Sequence, residues 1–247
     1  MSADYDSPWK EALEIYFRAF VAFFYPIIHN DIDWQRGYEF LDKELQKIRP
    51  RSATGRRYVD KLVKVYRTNG RPLWILIHIE VQTQRESGFL KRMYRYNTRI
   101  EDHFDHTVVS LIVLADDDAS WRPHTYRKSL WDWSSRMTFP TAKLLDYADR
   151  EAELEADRNP FAKIVLAHLK ALETRRDPTT RRLWKFRLLR GLYEQGFDKE
   201  QVQQLFRIID WLMELPRVLE RLFLLGDCPS ITRRNVIGPL ELPNSFF

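Results

Sequence analysis

Two β-branched runs joined by a short turn constrain this chain more than any other stretch. The first reads RRYVDKLVKVY, the second PLWILIHIEVQ, and Thr68-Asn69-Gly70-Arg71 between them reads as a hairpin turn. Residues two apart on a strand point the same way, so Trp74, Leu76, His78, Glu80 and Gln82 share one face. Ile75, Ile77, Ile79 and Val81 share the other, and Glu80 is therefore a carboxylate carried on a largely apolar strand. A buried charge without a partner costs several kcal/mol, and Asp60 on the neighbouring run is placed to share a cation with it. Two carboxylates brought together by a hairpin fit a hard metal ion. The competing reading pairs them with lysine; Lys61 points opposite to Asp60, whereas Lys64 lies on its face.

Around this hairpin the periodicity alternates between helix and strand. Trp9, Leu13, Tyr16, Phe17, Phe20, Phe24 and Ile27 recur at helical spacing, which predicts an amphipathic helix over residues 8–28. A second helix is expected from Trp34, with Tyr38, Leu41, Leu45 and Ile48 on one side, Asp33 as its N-cap and Pro50 as its end. Glu39, Asp42 and Glu44 on its remaining surface read as a solvated face. After the hairpin, Phe89, Met93, Tyr96 with Asn97 beside it, and Ile100 form a helical stripe. Thr107 to Leu114 is a continuous apolar run suited to a buried strand, and Asp116-Asp117-Asp118 after it reads as a charged loop tip. Residues 125–147 give a mixed signal, with Leu130, Trp131 and Trp133 suggesting a strand and Pro140 interrupting. From Glu151 the pattern becomes helical, over 161–172, 181–195, 199–213 and 217–225, and the proline-bearing tail past Gly226 reads as loosely held. The order of elements implies an α/β core over residues 1–150 with a helical C-terminal extension over 151–247 packed on it.

Composition narrows the function classes. The chain has 247 residues, a formal charge of +5 and 44% hydrophobic residues, enough for a substantial core and mildly suited to phosphate partners. The single cysteine, Cys228, excludes an intrachain disulfide and a cysteine-based zinc cluster. The most apolar N-terminal stretch, Ile15 to Ile28, is too short to span a bilayer and contains Arg18, so a cytoplasmic protein without a membrane partner is expected. No G-x-x-x-x-G-K-[ST] or G-x-G-x-x-G loop is present, nor a G-x-S-x-G elbow. His103 and His106 lack an HExxH context. The basic cluster Arg175-Arg176, Arg181-Arg182, Lys185, Arg187 and Arg190 does not form one helical stripe, and it reads equally as a DNA-backbone grip or a solvated face.

The pattern Asp60, nineteen intervening residues, then Glu80-Val81-Gln82 resembles the PD-(D/E)XK nuclease superfamily with Gln in place of its final Lys. The stretch Phe89-Leu90-Lys91-Arg92-Met93-Tyr94-Arg95-Tyr96-Asn97 is similar to the helix after the catalytic strand in the Rpn group of recombination-promoting nucleases and transposase-like proteins. The resemblance continues through Trp121-Arg122-Pro123, Phe139-Pro140, Lys143-Leu144-Leu145-Asp146-Tyr147, Asn159-Pro160-Phe161 and Asp210-Trp211-Leu212-Met213-Glu214-Leu215-Pro216, and so covers most of the chain. It implies a restriction-endonuclease-like fold, a mixed central sheet flanked by helices, and a metal-dependent DNA endonuclease. It further implies that Asp60, Glu80 and the Val81 backbone carbonyl bind Mg²⁺ or Mn²⁺, with Glu44 as an extra acid from the preceding helix. Gln82 would position the attacking water, a role that a Gln fills by hydrogen bonding but without positive charge. Arg92 and Tyr96, four apart on one side of their helix, would meet the substrate; the open alternative is an arginine stem covering apolar surface and a tyrosine filling the core. DNA is the expected partner and a homodimer the other association considered. The contrasting expectation is a nuclease-fold protein without activity, acting as a DNA-binding or protein-interaction module.

Overall fold

The computed structural model describes residues 6–48, 59–70 and 73–225. The strands within them are β1 (Tyr38–Phe40), β2 (Val59–Tyr66), β3 (Trp74–Gln82), β4 (Val108–Leu114), β5 (Thr125–Leu130), β6 (Trp133–Thr138) and β7 (Thr141–Lys143). The helices are α1 (Asp6–Phe24), α2 (Pro26–Asp31), α3 (Asp42–Ile48), α4 (Phe89–Phe104), α5 (Glu151–Ala156), α6 (Pro160–Glu173), α7 (Pro178–Glu194), α8 (Lys199–Leu212) and α9 (Arg217–Leu225). Five strands form one mixed sheet in the order β1-β2-β3-β4-β7, and β5 and β6 form a separate ribbon. The protein is thus α/β, with a mixed sheet flanked by helices.

The hairpin expected from sequence is present: β2 and β3 run antiparallel with Asp60 directly opposite Glu80. β4 then lies parallel to β3, which a two-residue turn cannot achieve, and α4 supplies the crossover. The alternation along β3 divides two cores. Ile75, Ile77, Ile79 and Val81 join the large cluster built with α1, α6 and α8. Leu76, with half-buried Trp74 against it, packs instead with Leu62, Leu45 and Ile100 under α3 and α4. Each fully buried isoleucine or leucine in these layers contributes about 2 to 3 kcal/mol of apolar transfer.

Several local expectations change for identifiable reasons. The helix predicted over 8–28 stops at Phe24, because Pro26 drives the preceding Tyr25 out of helical geometry (φ −137°, ψ 61°) and opens α2 as its first residue. Ile27, assigned to the buried stripe, is consequently 86% exposed. The helix predicted from Trp34 is a single 3-10 turn, capped by Asp33 as expected, and it ends at Gly37, whose φ of +75° lies in the left-handed region. Tyr38 to Phe40 then form an edge strand, and only Asp42 to Ile48 are helical. The helix expected over 181–195 begins three residues earlier, with Pro178 as the first residue of α7, capped by Asp177. Pro50, Arg71, Cys228 and the tail past Gly226 lie outside the described residues.

The C-terminal helices share the large apolar cluster with α1 and the sheet, so α6 and α8 are part of the layer that covers β2 and β3. Two of the buried polar side chains in this layer, His168 and Lys185, have partners that account for them. His168 accepts from Trp9 Nε1 at 3.3 Å, and its other ring nitrogen meets the carbonyl of Ala115 at 2.8 Å. Burial keeps that imidazole neutral, its pKa lowered to about 4. Fully buried Lys185 pairs with Asp210 and, at 3.3 Å, with Glu220, whose carboxyl burial pushes up.

Candidate metal centre

The polar face of β3 converges on one point. Asp60, His78 and Glu80 are 4%, 0% and 0% exposed, and one ligand atom from each lies within 4.8 Å of the others. Two mechanisms place them there: antiparallel register sets Asp60 against Glu80, and the strand period sets His78 and Glu80 on the same side. The sequence marked His78 only as sharing the face of Glu80. The signal that it belongs with the acids is its i, i+2 spacing from Glu80.

His78 is oriented from the next strand. Its register partner on β4 is Ser110, and its Nδ1 lies 3.1 Å from Ser110 Oγ. Asn97 of α4 donates to the same Ser110 oxygen at 3.0 Å and to the Val108 carbonyl at 3.0 Å. The Ser110 oxygen has two lone pairs, so with Asn97 donating to one it can accept Nδ1–H of His78 on the other; in that tautomer Nε2 carries the lone pair that a metal needs. Tyr96 closes the far side of the imidazole edge-on, with ring centroids 5.9 Å apart. Asn97 and Ser110 are therefore positioning residues, a role that the sequence did not assign to either.

Arg92 is the cation of the site. It reaches Glu80 Oε1 at 2.6 Å, Gln82 Oε1 at 2.8 Å and Glu86 Oε2 at 3.0 Å. Helix α4 begins after Gly88, whose φ of +81° turns the chain back over β3, and Arg92 sits one turn in. Arg92 reaches the acids and retains 14% side-chain exposure, while Tyr96, 3% exposed, packs against His78 and beneath the guanidinium. Lys64, the lysine on the face of Asp60, instead lies over the rings of Trp74 and Tyr66. Lys61, on the opposite face, pairs with Glu14 and, at 2.5 Å, with Asp42.

Gln82 was expected to orient water. Its amide is engaged by protein at both ends, accepting from Arg92 and donating to the Gln84 carbonyl at 2.6 Å, so in this arrangement it fixes the guanidinium. Val81 turns its side chain into the large core, and its register partners are Val59 and Val113. Glu44 stands half-buried on α3, outside the group formed by Asp60, His78 and Glu80.

Several other acids and bases marked in the sequence have structural partners. Asp116 is buried against Lys143 at 2.6 Å, Asp117 pairs with Arg175, and Asp118 pairs with Arg85 and caps Ser120. In the basic cluster, Arg187 pairs with Glu155, Arg190 with Glu194, and Arg181 donates to the carbonyls of Ala171 and Thr174. His106 stacks on Trp74 with ring centroids 3.4 Å apart. Arg122 and Asp146, from two stretches of the family resemblance, meet in a two-pronged pair that lowers the Asp146 carboxyl. No helix among the described residues is long and apolar enough to cross a membrane.

Comparison with known proteins adds no relative: no family model matches the chain, and no curated protein or solved structure is similar to it. The functional reading therefore rests on the geometry of the site.

Proposed function

We propose that this chain is a divalent-metal-dependent DNA endonuclease of the PD-(D/E)XK type, close in kind to the Rpn group. The observation that carries the reading is the dry cluster of Asp60, His78 and Glu80. Folding alone gives little reason for such a cluster, since buried ionic groups are commonly replaced by apolar ones without loss of stability. Carboxylate oxygens suit Mg²⁺ and Mn²⁺, and an imidazole in the same set favours Mn²⁺. Arg92 meets two of the nearby carboxylates, Glu80 and Glu86, and a divalent cation would add positive charge between Asp60 and Glu80.

Asp60, Glu80 and His78 would hold the ion, which would neutralise the scissile phosphate and acidify a water molecule. The protein's own contribution is then positional. Ser110 and Asn97 fix the imidazole, and Gln82 and Glu86 hold the guanidinium of Arg92 at the partly open side of the site. Arg92 is there suited to a phosphate oxygen through its planar fork. In this reading Arg92 supplies the positive charge that Gln82, standing where the superfamily has Lys, lacks.

Nicking of supercoiled plasmid with Mn²⁺ or Mg²⁺, against an EDTA control, tests the proposal. Asp60→Ala and Glu80→Ala are each expected to abolish cutting, and full activity in either variant overturns it. A second reading, a nuclease-fold module without activity, is favoured by one observation: Arg92 already occupies Glu80 and Gln82. Retained DNA binding with no cutting under any divalent ion selects that reading.

A further inference from the structure

The β5–β6 ribbon is the most exposed structured element among the described residues. Its root is well held: Tyr126 stacks on Tyr94 of α4 at 4.6 Å, and Tyr126 and Met137 pack on the cluster of Phe89 and Met93. Beyond that root both strands stand away from the body, and five further residue steps at about 3.3 Å make an arm roughly 17 Å long.

Three features of the arm are unfavourable for folding alone. Arg127 and Arg136 are directly opposite each other, a like-charge cross-strand pair, and no carboxylate among the described residues pairs with either. The tip exposes Leu130 (58%), Trp131 (93%) and Trp133 (51%). Trp131 also occupies the left-handed region at φ +52°, where a bulky side chain is strained and glycine is the usual choice.

These features are complementary to a nucleic-acid duplex. Cross-strand partners share a face, so Arg127 and Arg136 lie with the hydroxyls of Ser129 and Ser134 on one side of the ribbon. Two guanidinium forks flanked by hydroxyls suit backbone phosphates, and an anion between the arginines removes their repulsion. A two-stranded ribbon fits the major groove, and an apolar wedge can enter between base steps. A membrane surface matches less well, because Asp132 sits between the two tryptophans and would be carried into the bilayer boundary. In a groove, a carboxylate has cytosine amino groups to accept from.

We propose that the β5–β6 ribbon is a duplex-DNA-binding arm that grips phosphates through Arg127 and Arg136 and seats Trp131 in the groove. The inference rests on the nuclease reading for the choice of DNA. The arm and the metal site share α4, which carries Tyr94 to the ribbon and Arg92 to the acids.

The test is fluorescence anisotropy with a labelled duplex oligonucleotide in EDTA, where cutting cannot contribute. Arg127→Gln/Arg136→Gln should bind about tenfold more weakly at low salt, with the slope of log affinity against log salt reduced by about 2. Trp131→Gly relieves the backbone strain, so it should melt at or above the wild-type temperature while losing roughly tenfold in affinity. Wild-type affinity in both variants overturns the arm, as does binding of the tip to anionic vesicles in preference to duplex. Plasmid cutting is scored separately. An uncleaved duplex bound through the arm rejects the nuclease reading alone, and cutting with unchanged binding in the variants rejects the arm alone.

Discussion

The two sides of β3 are equally dry but differently built. On one side, Ile75, Ile77, Ile79 and Val81 are at most 9% exposed beneath α1 and its neighbours. On the other, His78, Glu80 and Gln82 are at most 6% exposed, yet all three are polar and one is charged. Each side also buries one fully enclosed histidine. His168 on the helical side ties Trp9 to Ala115 and is explained by those two bonds. His78 on the other side is positioned by Ser110 and Asn97 against two carboxylates. The contrast separates polar burial that serves the fold from polar burial that the fold must accommodate.

The largest effect expected comes from making the first side resemble the second. Ile77→Asp would bury a carboxylate with no cation built to meet it, at a cost of more than about 5 kcal/mol, comparable with the whole stability of a domain. The expected outcome is loss of the cooperative thermal transition; a soluble variant melting near wild type would show that the apolar side tolerates charge. Next, Arg92→Met removes the cation from the second side and leaves Glu80 buried without its 2.6 Å partner. The expected destabilisation is about 3 kcal/mol in EDTA, read from urea unfolding, and Mn²⁺ should recover part of it by balancing the same charge. Equal destabilisation with and without the ion would assign Arg92 a packing role only.

How much of this was legible in the sequence follows from the range of the forces involved. The hairpin, the faces of β3, the α4 stripe and the β4 strand all arise from local periodicity, and they stand where the pattern placed them. Errors came where one residue redirects the chain: Pro26 split the first helix, and Gly37 turned an apparent helical stripe into an edge strand. Asp60 and Glu80 could be brought together from the hairpin spacing, whereas Arg92 was set beside them only by the family resemblance. The partnership of Arg92 with Gln82 and the Ser110–Asn97 support of His78 could not be read from spacing, because they depend on the parallel register of β3 and β4, which no local pattern encodes. The ribbon was obscured for another reason: it follows amphipathic alternation but leaves its tip unburied.

The third test asks whether the histidine of the helical side serves the fold alone. Its folded pKa of about 4 lies below the ordinary value of 6.5. Between those values the unfolded chain takes up a proton that the folded chain refuses, so stability is full above pH 6.5 and falls as the pH drops toward 4. By about pH 5 the loss should reach about 2 kcal/mol. His168→Gln retains one donor and one acceptor for Trp9 and Ala115 without this titration. Urea unfolding across that range should therefore be flatter in the variant, and an unchanged pH slope would move the effect to another group.

The smallest expected change in stability belongs to the residue expected to matter most for function. Glu80→Gln keeps the shape of the side chain and an oxygen for Arg92, while removing one of the negative charges crowded around that arginine. Two effects then oppose each other: the charge-assisted bond to Arg92 weakens, and the repulsion between Asp60 and position 80 disappears. Their near cancellation leaves stability in EDTA within about 1 kcal/mol of wild type. With Mn²⁺ the two proteins should diverge. At an ion concentration about a hundredfold above its dissociation constant, a folded-state site stabilises by about 2.7 kcal/mol, and the variant should lose most of that gain. A variant that is weakened in EDTA and still gains the full increment from Mn²⁺ would make Glu80 a structural partner of Arg92 and place any metal site elsewhere.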